Sequence, residues 1–361
     1  MGILRILLAI CVFCWHSRPF GNLPWLRGDL AVESFFVVSG FYMQLVLSTK
    51  YTKVKLGRAW LARFYKARYF RLLPIYLIGC FLVVGAACLR NDLAPLPVWR
   101  YVWGLPGTLG NQLFKVFLSF SNMTILCQEV PAFLASHKGH IEWSANFRNS
   151  EAPLWEGQPL PHAWSLGIEL YFYLIAPYVL NLRSRWLIVG SLCSFAVKVI
   201  AVSAFHLHDP WTNHFFPFEV GYFLLGSLAF RYRSLLDFNR HFSARAGKYG
   251  VYVFAIVFAA VRVPGHRLTL AYPIALAFAL PFMFRMTSGL KADRLIGELS
   301  YPFYIFHLLA LSLAGYLTPR WWQGSANSVA WVGLALTLAL SAIALALENR
   351  FVEPWRLAQN G

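Results

Sequence analysis

The chain has 361 residues, of which 58% are hydrophobic, 17% aromatic and 13% charged, with a formal net charge of +17. A domain of this size cannot keep that much apolar surface out of water, so the composition excludes an ordinary soluble enzyme or binding module. The charge does not indicate nucleic acid, because the basic residues sit between apolar runs and not on a polar, water-facing surface.

A helix needs about 20 apolar residues to cross roughly 30 Å of hydrocarbon. Segments 3–20, 29–49, 70–89, 164–182, 186–204, 214–231, 248–263, 268–285, 299–317 and 329–349 fit that pattern and predict an all-α, polytopic transmembrane helix bundle. The first segment reads as a retained span, since it has no basic n-region beyond Arg5, no small-residue cleavage site follows, and His16 interrupts the apolar stretch. The stretch 108–127 is interrupted by Gly110, Asn111, Gln112, Lys115 and Asn122. If it does not cross and the N-terminus is cytoplasmic, 21 of the 32 Lys and Arg fall on the cytoplasmic side. If it crosses, the later groups from Arg183 to Arg294 move outside. The positive-inside rule therefore predicts about ten spans, with 108–127 as a re-entrant or interfacial helix. Residues 90–163 become a long outer segment, and both termini are cytoplasmic. The six cysteines lie mostly in apolar runs and read as small buried hydrophobes, with no disulfide framework and no metal site.

Charge inside a span costs roughly 2.5–3.5 kcal/mol, which makes each such residue a functional candidate. Arg5 and His16 are eleven residues apart, so they share one helix face to within about 20° and stand about 16 Å apart along the axis. Arg5 suits either a topology anchor or a phosphate ligand. His16 suits either a packed interfacial ring or a base that takes a proton from a hydroxyl. In the second span, Asp29 and Glu33 lie on one face at the outer end, fit to orient a protonated His16 across the first hairpin. Ser39 and Gly40 suit close helix packing as well as chemistry. Arg68 and Arg71 enter the third span at i and i+3, either as a basic cap against anionic lipid or as a clamp on phosphate. Where the outer segment enters the next span, Glu169 follows Ser165 by four residues among aromatics, and it must find a cation or a polar cavity.

In order along the chain, these segments resemble the acyltransferase-3 family of integral membrane proteins. Arg5 and His16 are similar to its first-helix pair. Leu30-Ala-Val-Glu33-Ser-Phe-Phe-Val-Val-Ser39-Gly40-Phe41 resembles its second-helix signature, with Glu33 where Asp is usual. Arg68-Tyr-Phe-Arg71-Leu-Leu-Pro74 resembles the Arg-x-x-Arg element, and Trp164-Ser165-Leu166-Gly-Ile-Glu169 with Phe172-Tyr173 the Trp-Ser-Leu-x-x-Glu signature. Ser300-Tyr301-Pro302-Phe-Tyr304-Ile-Phe-His307 and Glu353-Pro354-Trp355 resemble its closing motifs.

The resemblance implies transfer of an acyl group, commonly acetyl, from cytoplasmic acetyl-CoA or another acyl-CoA to a carbohydrate hydroxyl. The acceptor would be a surface polysaccharide, O-antigen or oligosaccharide, free or lipid-linked. The expected setting is one membrane domain over 1–361 with no appended soluble domain, in a bacterial cytoplasmic membrane, with self-association allowed. His16, Glu33 and Glu169 are expected to be catalytic, and Arg5, Arg68 and Arg71 to hold the CoA phosphates. Trp164, Ser165, Ser39, Tyr173 and His307 are expected on the acceptor side, with Trp143 and Trp155 also offering faces for sugar rings. No metal is called for. Direct transfer and an acyl-histidine relay both fit these positions. The reading from another class is a transporter or flippase using His16, Lys198 and Glu169 as a path, which internal inverted repeats would favour; none is visible in the sequence.

Overall fold

Residues 1–17, 26–89, 102–147, 152–236, 271–318 and 327–354 are described in a computed structural model. The main helices are α1 (Gly2–His16), α2 (Gly28–Thr49), α3 (Trp60–Leu89), α4 (Leu109–Thr124), α5 (Trp164–Val179) and α6 (Ser184–Ala204). They continue as α7 (Phe216–Arg231), α8 (Ala271–Thr287), α9 (Lys291–Leu317) and α10 (Ser328–Leu347). Among the described residues, five helical stretches are long and apolar enough to cross a membrane: α2, Lys53–Leu89, α6, α9 and Ser328–Val352. Helices α1 and α8 are apolar but shorter. Nine of the expected segments coincide with helices, and segment 248–263 lies outside the described residues. Helix α3 begins ten residues before its apolar stretch, because the basic run from Trp60 to Tyr69 is built of good helix formers that hydropathy passes over.

The described part of segment 90–163 departs from the all-helical expectation. After α4 it forms a small antiparallel sheet of β1 (Leu134–His137), β2 (His140–Trp143) and β3 (Ala152–Pro153), ordered β2-β1-β3. His137 pairs with His140 across a two-residue turn in which Lys138 and Gly139 both have positive φ, 49° and 81°. Such a turn matches the twist of the strands it joins, and glycine enters it without a steric penalty. Helix α4 is inside out. Leu109, Leu113, Val116, Phe120 and Met123 are exposed along one stripe, whereas Asn111, Lys115 and Ser121 are buried. Lys115 Nζ donates to the carbonyls of Trp103 and Leu105, and Asn111 Nδ2 to those of Pro106 and Gly139. Polar groups satisfied inwards beneath an apolar outer stripe suit a helix resting on hydrocarbon.

Helix ends gather on a common face. The Arg231 guanidinium, at the end of α7, donates to Gln44 Oε1 near the end of α2 at 3.0 Å, and to the carbonyls of Leu180 and Leu182 after α5 at 2.5 and 2.7 Å. Asp293, at the start of α9, accepts from the backbone N–H groups of Gly2 and Ile3 at 2.8 and 2.9 Å, capping the first turn of α1. Tyr42 of α2 meets Phe284 of α8 with ring centroids 6.4 Å apart, joining the two groups. Arg183, Arg185, Arg231, Arg285, Lys291 and Arg294 thus belong to one end of the bundle.

Helices α2 and α7 approach through glycine on both sides. A Cβ at Gly226 would lie 1.8 Å from the Val37 carbonyl oxygen, and one at Gly40 would lie 1.9 Å from that of Phe223. Such contact is available only where no side chain intervenes. Gly226→Ala is therefore expected to force the helices apart at a cost of about 1–3 kcal/mol. A lower temperature of aggregation in detergent, compared with the unaltered protein, is the measurement that checks it.

Candidate active site

Helix α1 carries Arg5 at the face where the helix ends gather and His16 at its other end. Arg5 lies within electrostatic range of Arg71, Tyr42, Glu169 and Tyr173, and Arg68 within range of Arg71, Tyr173 and Tyr51. Helix α5 brings Glu169 into this group. Its Oε1 accepts from Ser39 Oγ at 2.6 Å and from Tyr173 O–H at 2.5 Å. Glu169 thus offsets the guanidinium charge through space, while its bonds are to hydroxyls. Arg68 is 8% exposed, and its Nε has no hydrogen-bond partner among the described residues. Its guanidinium lies 5.8 Å from the Tyr51 ring centroid. Three guanidinium groups around one carboxylate leave a positive excess, and a buried cation with an unmatched donor suits an anion such as phosphate.

At the other end of α1, His16 opens onto a cavity of about 790 Å³ whose wall also carries Glu33, His162, Trp164, Lys198 and Tyr304. Behind His16, the His307 ring centroid lies 5.3 Å away, and that of His162 a further 4.8 Å from His307. His307 Nδ1 is 2.6 Å from the Tyr304 carbonyl, three residues back on α9. Tyr304 O–H donates to the His162 carbonyl at 2.8 Å, and Ser165 Oγ is hydrogen-bonded to Tyr304 Oη at 2.8 Å. Ser165 therefore ties the start of α5 to α9. These three imidazoles are not a metal-holding group, and none of that kind occurs among the described residues.

The carboxylates divide between the two ends. Glu33 lines the cavity with His16, and Lys198 Nζ holds its Oε1 at 2.7 Å while also holding Glu219 Oε1 at 2.8 Å. Glu169 belongs with Arg5, Arg68 and Arg71. Asp29 pairs with Arg27 at 2.6 Å. Of the aromatic candidates, Trp155 and Trp164 line the cavity, whereas Trp143 is 75% exposed on β2. Trp164 lies against His214 with centroids 4.1 Å apart. Trp355, in the last motif, lies outside the described residues.

Two contributors escape a reading of the sequence. His162 precedes α5 in a loop-like Pro-His-Ala stretch with no periodicity to place it, and Glu219 looks like an ordinary first-turn acid of α7. The intramembrane Lys198 was the available signal for the second, because a cation in a span requires a carboxylate somewhere.

Residues 1–346 match the acyltransferase-3 family, described as an acyltransferase domain. The O-acetyltransferase OatA of Staphylococcus aureus (strain NCTC 8325 / PS 47) is 26% identical over 179 residues, covering 49% of this chain and 24% of that protein. The peptidoglycan O-acetyltransferase OatA of Listeria monocytogenes serovar 1/2a is 26% identical over 188 residues, covering 51% of this chain and 24% of its own length. The matched region thus spans about a quarter of the length of these curated relatives. No solved structure matches the chain significantly. The family match runs through α1–α9 and nearly all of α10, and takes in both the guanidinium cluster and the imidazole cavity: the chain belongs to the acyltransferase-3 family.

Proposed function

We propose that this protein transfers an acetyl group from cytoplasmic acetyl-CoA to a hydroxyl of a carbohydrate bound in the outer cavity. The observation that carries the reading is the placement of Arg5 and His16 on one helix, the first within range of Arg71, which also neighbours Arg68, and the second on the cavity. The axial rise between them is about 16 Å, of the order of a pantetheine arm. Phosphates held by the guanidinium groups would then leave the thioester at His16. The sugar hydroxyl gives its proton to the His16 imidazole as its oxygen attacks the thioester carbonyl. The C–S bond breaks, and the imidazolium returns the proton to the CoA thiolate. Glu33 lies on the acceptor side of this step, and Trp155 and Trp164 offer faces on which a sugar ring can stack. The relatives act as O-acetyltransferases by name, one of them on peptidoglycan, which supports acetyl as the group and a cell-envelope glycan as the acceptor.

The reading further places the protein in a bacterial cytoplasmic membrane, with about ten spans, both termini in the cytoplasm and the whole chain as one embedded domain. The basic end of the bundle then faces the cytosol, as the positive-inside rule requires. Mass spectrometry of envelope glycans from cells with and without the protein tests the reaction, through the loss of an acetyl mass from one sugar. Unchanged glycans together with absent CoA release from acetyl-CoA would remove it.

Arg68 supplies a sharper check on the donor side. Arg68→Ala is expected to raise KM for acetyl-CoA by about 10- to 100-fold, the loss of a charge-assisted phosphate contact. Steady-state CoA release measures it, and an unchanged KM would assign the arginine to topology alone.

A further inference from the structure

Among the described residues, α9 gives Tyr304 and Leu308 to the cavity wall, while His307 is 1% exposed behind His16. Any part His307 takes in the chemistry therefore runs through another side chain. Its Nδ1 lies 2.6 Å from the Tyr304 carbonyl. A carbonyl only accepts, so the ring proton is on Nδ1 and a lone pair is left on Nε2. Nε2 is sealed from solvent and has no hydrogen-bond partner among the described residues. A sealed lone pair calls for a donor from its own neighbours, because leaving it bare costs about 1–3 kcal/mol.

Three rings with polar atoms lie against His307 among the described residues. Tyr304 has its centroid 5.7 Å away, and its hydroxyl already donates to the His162 carbonyl. His162 lies at 4.8 Å, and its own proton is committed by Nε2 to the Ile305 carbonyl, 3.1 Å away. His16, at 5.3 Å and tilted by 42°, is the neighbour left with an N–H to give. Two imidazoles joined by one N–H···N bond have their centroids about 5 Å apart, so a small rotation of the His16 side chain completes the pair. His16 stands exposed at the end of α1, beside the cavity, and has room to make that rotation.

We propose that His307 is a positioning residue for acetyl transfer: its Nε2 accepts the N–H of one His16 ring nitrogen and so fixes the tautomer in which the other nitrogen carries the lone pair. The role rests on the acetyl-transfer reading, and it assigns His307 to His16 in place of the acceptor side expected from its motif. With that tautomer held, the proton of the sugar hydroxyl meets a nitrogen able to take it. The opposite tautomer would meet the hydroxyl with an N–H and accept nothing. As His16 becomes an imidazolium, its bond to His307 becomes charge-assisted and strengthens by about twofold. The contact thus favours the transition state over bound substrate, and its loss falls on turnover and not on KM.

Two amides at position 307 separate the two ring nitrogens. His307→Asn keeps a donor near the Nδ1 position for the Tyr304 carbonyl but places nothing at the Nε2 position, whereas His307→Gln brings an amide oxygen there. Membranes of cells that lack the native protein and produce the full chain with each substitution supply their own acceptor. Transfer of label from radiolabelled acetyl-CoA to their glycans gives turnover and KM. His307→Asn is expected to lower turnover by about 10- to 100-fold, the effect of a misplaced base, with KM for acetyl-CoA within about twofold of the original. His307→Gln is expected to regain at least about fivefold of that loss, the worth of one hydrogen bond. In a His16→Ala background, His307→Asn should add less than about twofold, because the two residues act as a unit. His307→Phe, which keeps the ring volume without an acceptor, replaces asparagine where the smaller side chain unsettles α9. The positioning role alone is overturned if transfer depends on His16 yet His307→Asn keeps more than half of the turnover. The same holds if glutamine is as slow as asparagine, or if the loss persists undiminished beside His16→Ala. Transfer that is absent from the unaltered protein, or independent of His16, overturns the acetyl-transfer reading and the role of His307 with it.

Discussion

Acetyl transfer by a His16→Ala protein is expected to fall by about 10²- to 10⁴-fold, the range that a positioned acid–base group contributes. The residue stands exposed at the end of α1 among those lining the cavity, so alanine enlarges a space that already exists and opens no hole in the packed core. The bundle should therefore fold. That separates a chemical loss from a structural one, and size-exclusion chromatography in detergent checks it. His16→Gln sharpens the result, because an amide keeps a hydrogen bond but cannot carry the proton from sugar to thiolate. It is expected to be as inactive as alanine. A His16→Gln protein with more than half the original turnover would leave the imidazole with no part in proton transfer.

The largest expected effect on stability comes from Lys198→Met. The Lys198 ammonium lies between Glu33 Oε1 at 2.7 Å and Glu219 Oε1 at 2.8 Å, and the side chains of all three are largely buried, at 14%, 9% and 1% exposure. Methionine fills nearly the same volume but leaves two carboxylates side by side without a counter-charge. Removing one partner of a buried ion pair costs about 3–5 kcal/mol, mostly from the charge left behind. Thermal aggregation of the purified protein should show the loss directly. Adding Glu33→Gln and Glu219→Gln to Lys198→Met should restore most of it, because neutral amides carry far less desolvation cost than carboxylates. A single variant that melts like the original protein would mean that water enters the triad and solvates both acids. The cluster ties α6 to α2 and α7, so its integrity also bears on the shape of the cavity wall.

The helical architecture was legible because apolar runs of about 20 residues have one stable answer in hydrocarbon: a helix that satisfies its own backbone. The face shared by Arg5 and His16 was legible for a similar reason, since helical periodicity places eleven-residue neighbours together whatever else the chain does. The intramembrane charges announced themselves by their cost. Their partners did not. Glu33 lies near His16 in sequence-based reasoning about the first hairpin, yet its carboxylate is held by Lys198, 165 residues further on. Glu169 was free to pair with any cation, and it sits with Arg5, Arg68 and Arg71, its oxygen bonded to Ser39 and Tyr173. Helix α4 read as a weak, interrupted apolar stretch because its polar residues face the protein and its apolar ones face out, the reverse of the usual pattern.

By itself the sequence determined the membrane bundle, the family and the residue types at stake, since each follows from local composition, spacing or motif. Only the tertiary structure decided which acid meets which base, that three histidines from α1, α9 and the turn before α5 meet, and which side chains line one cavity. Those pairings depend on how helices distant in sequence lie against one another, and no periodicity within a single helix encodes that.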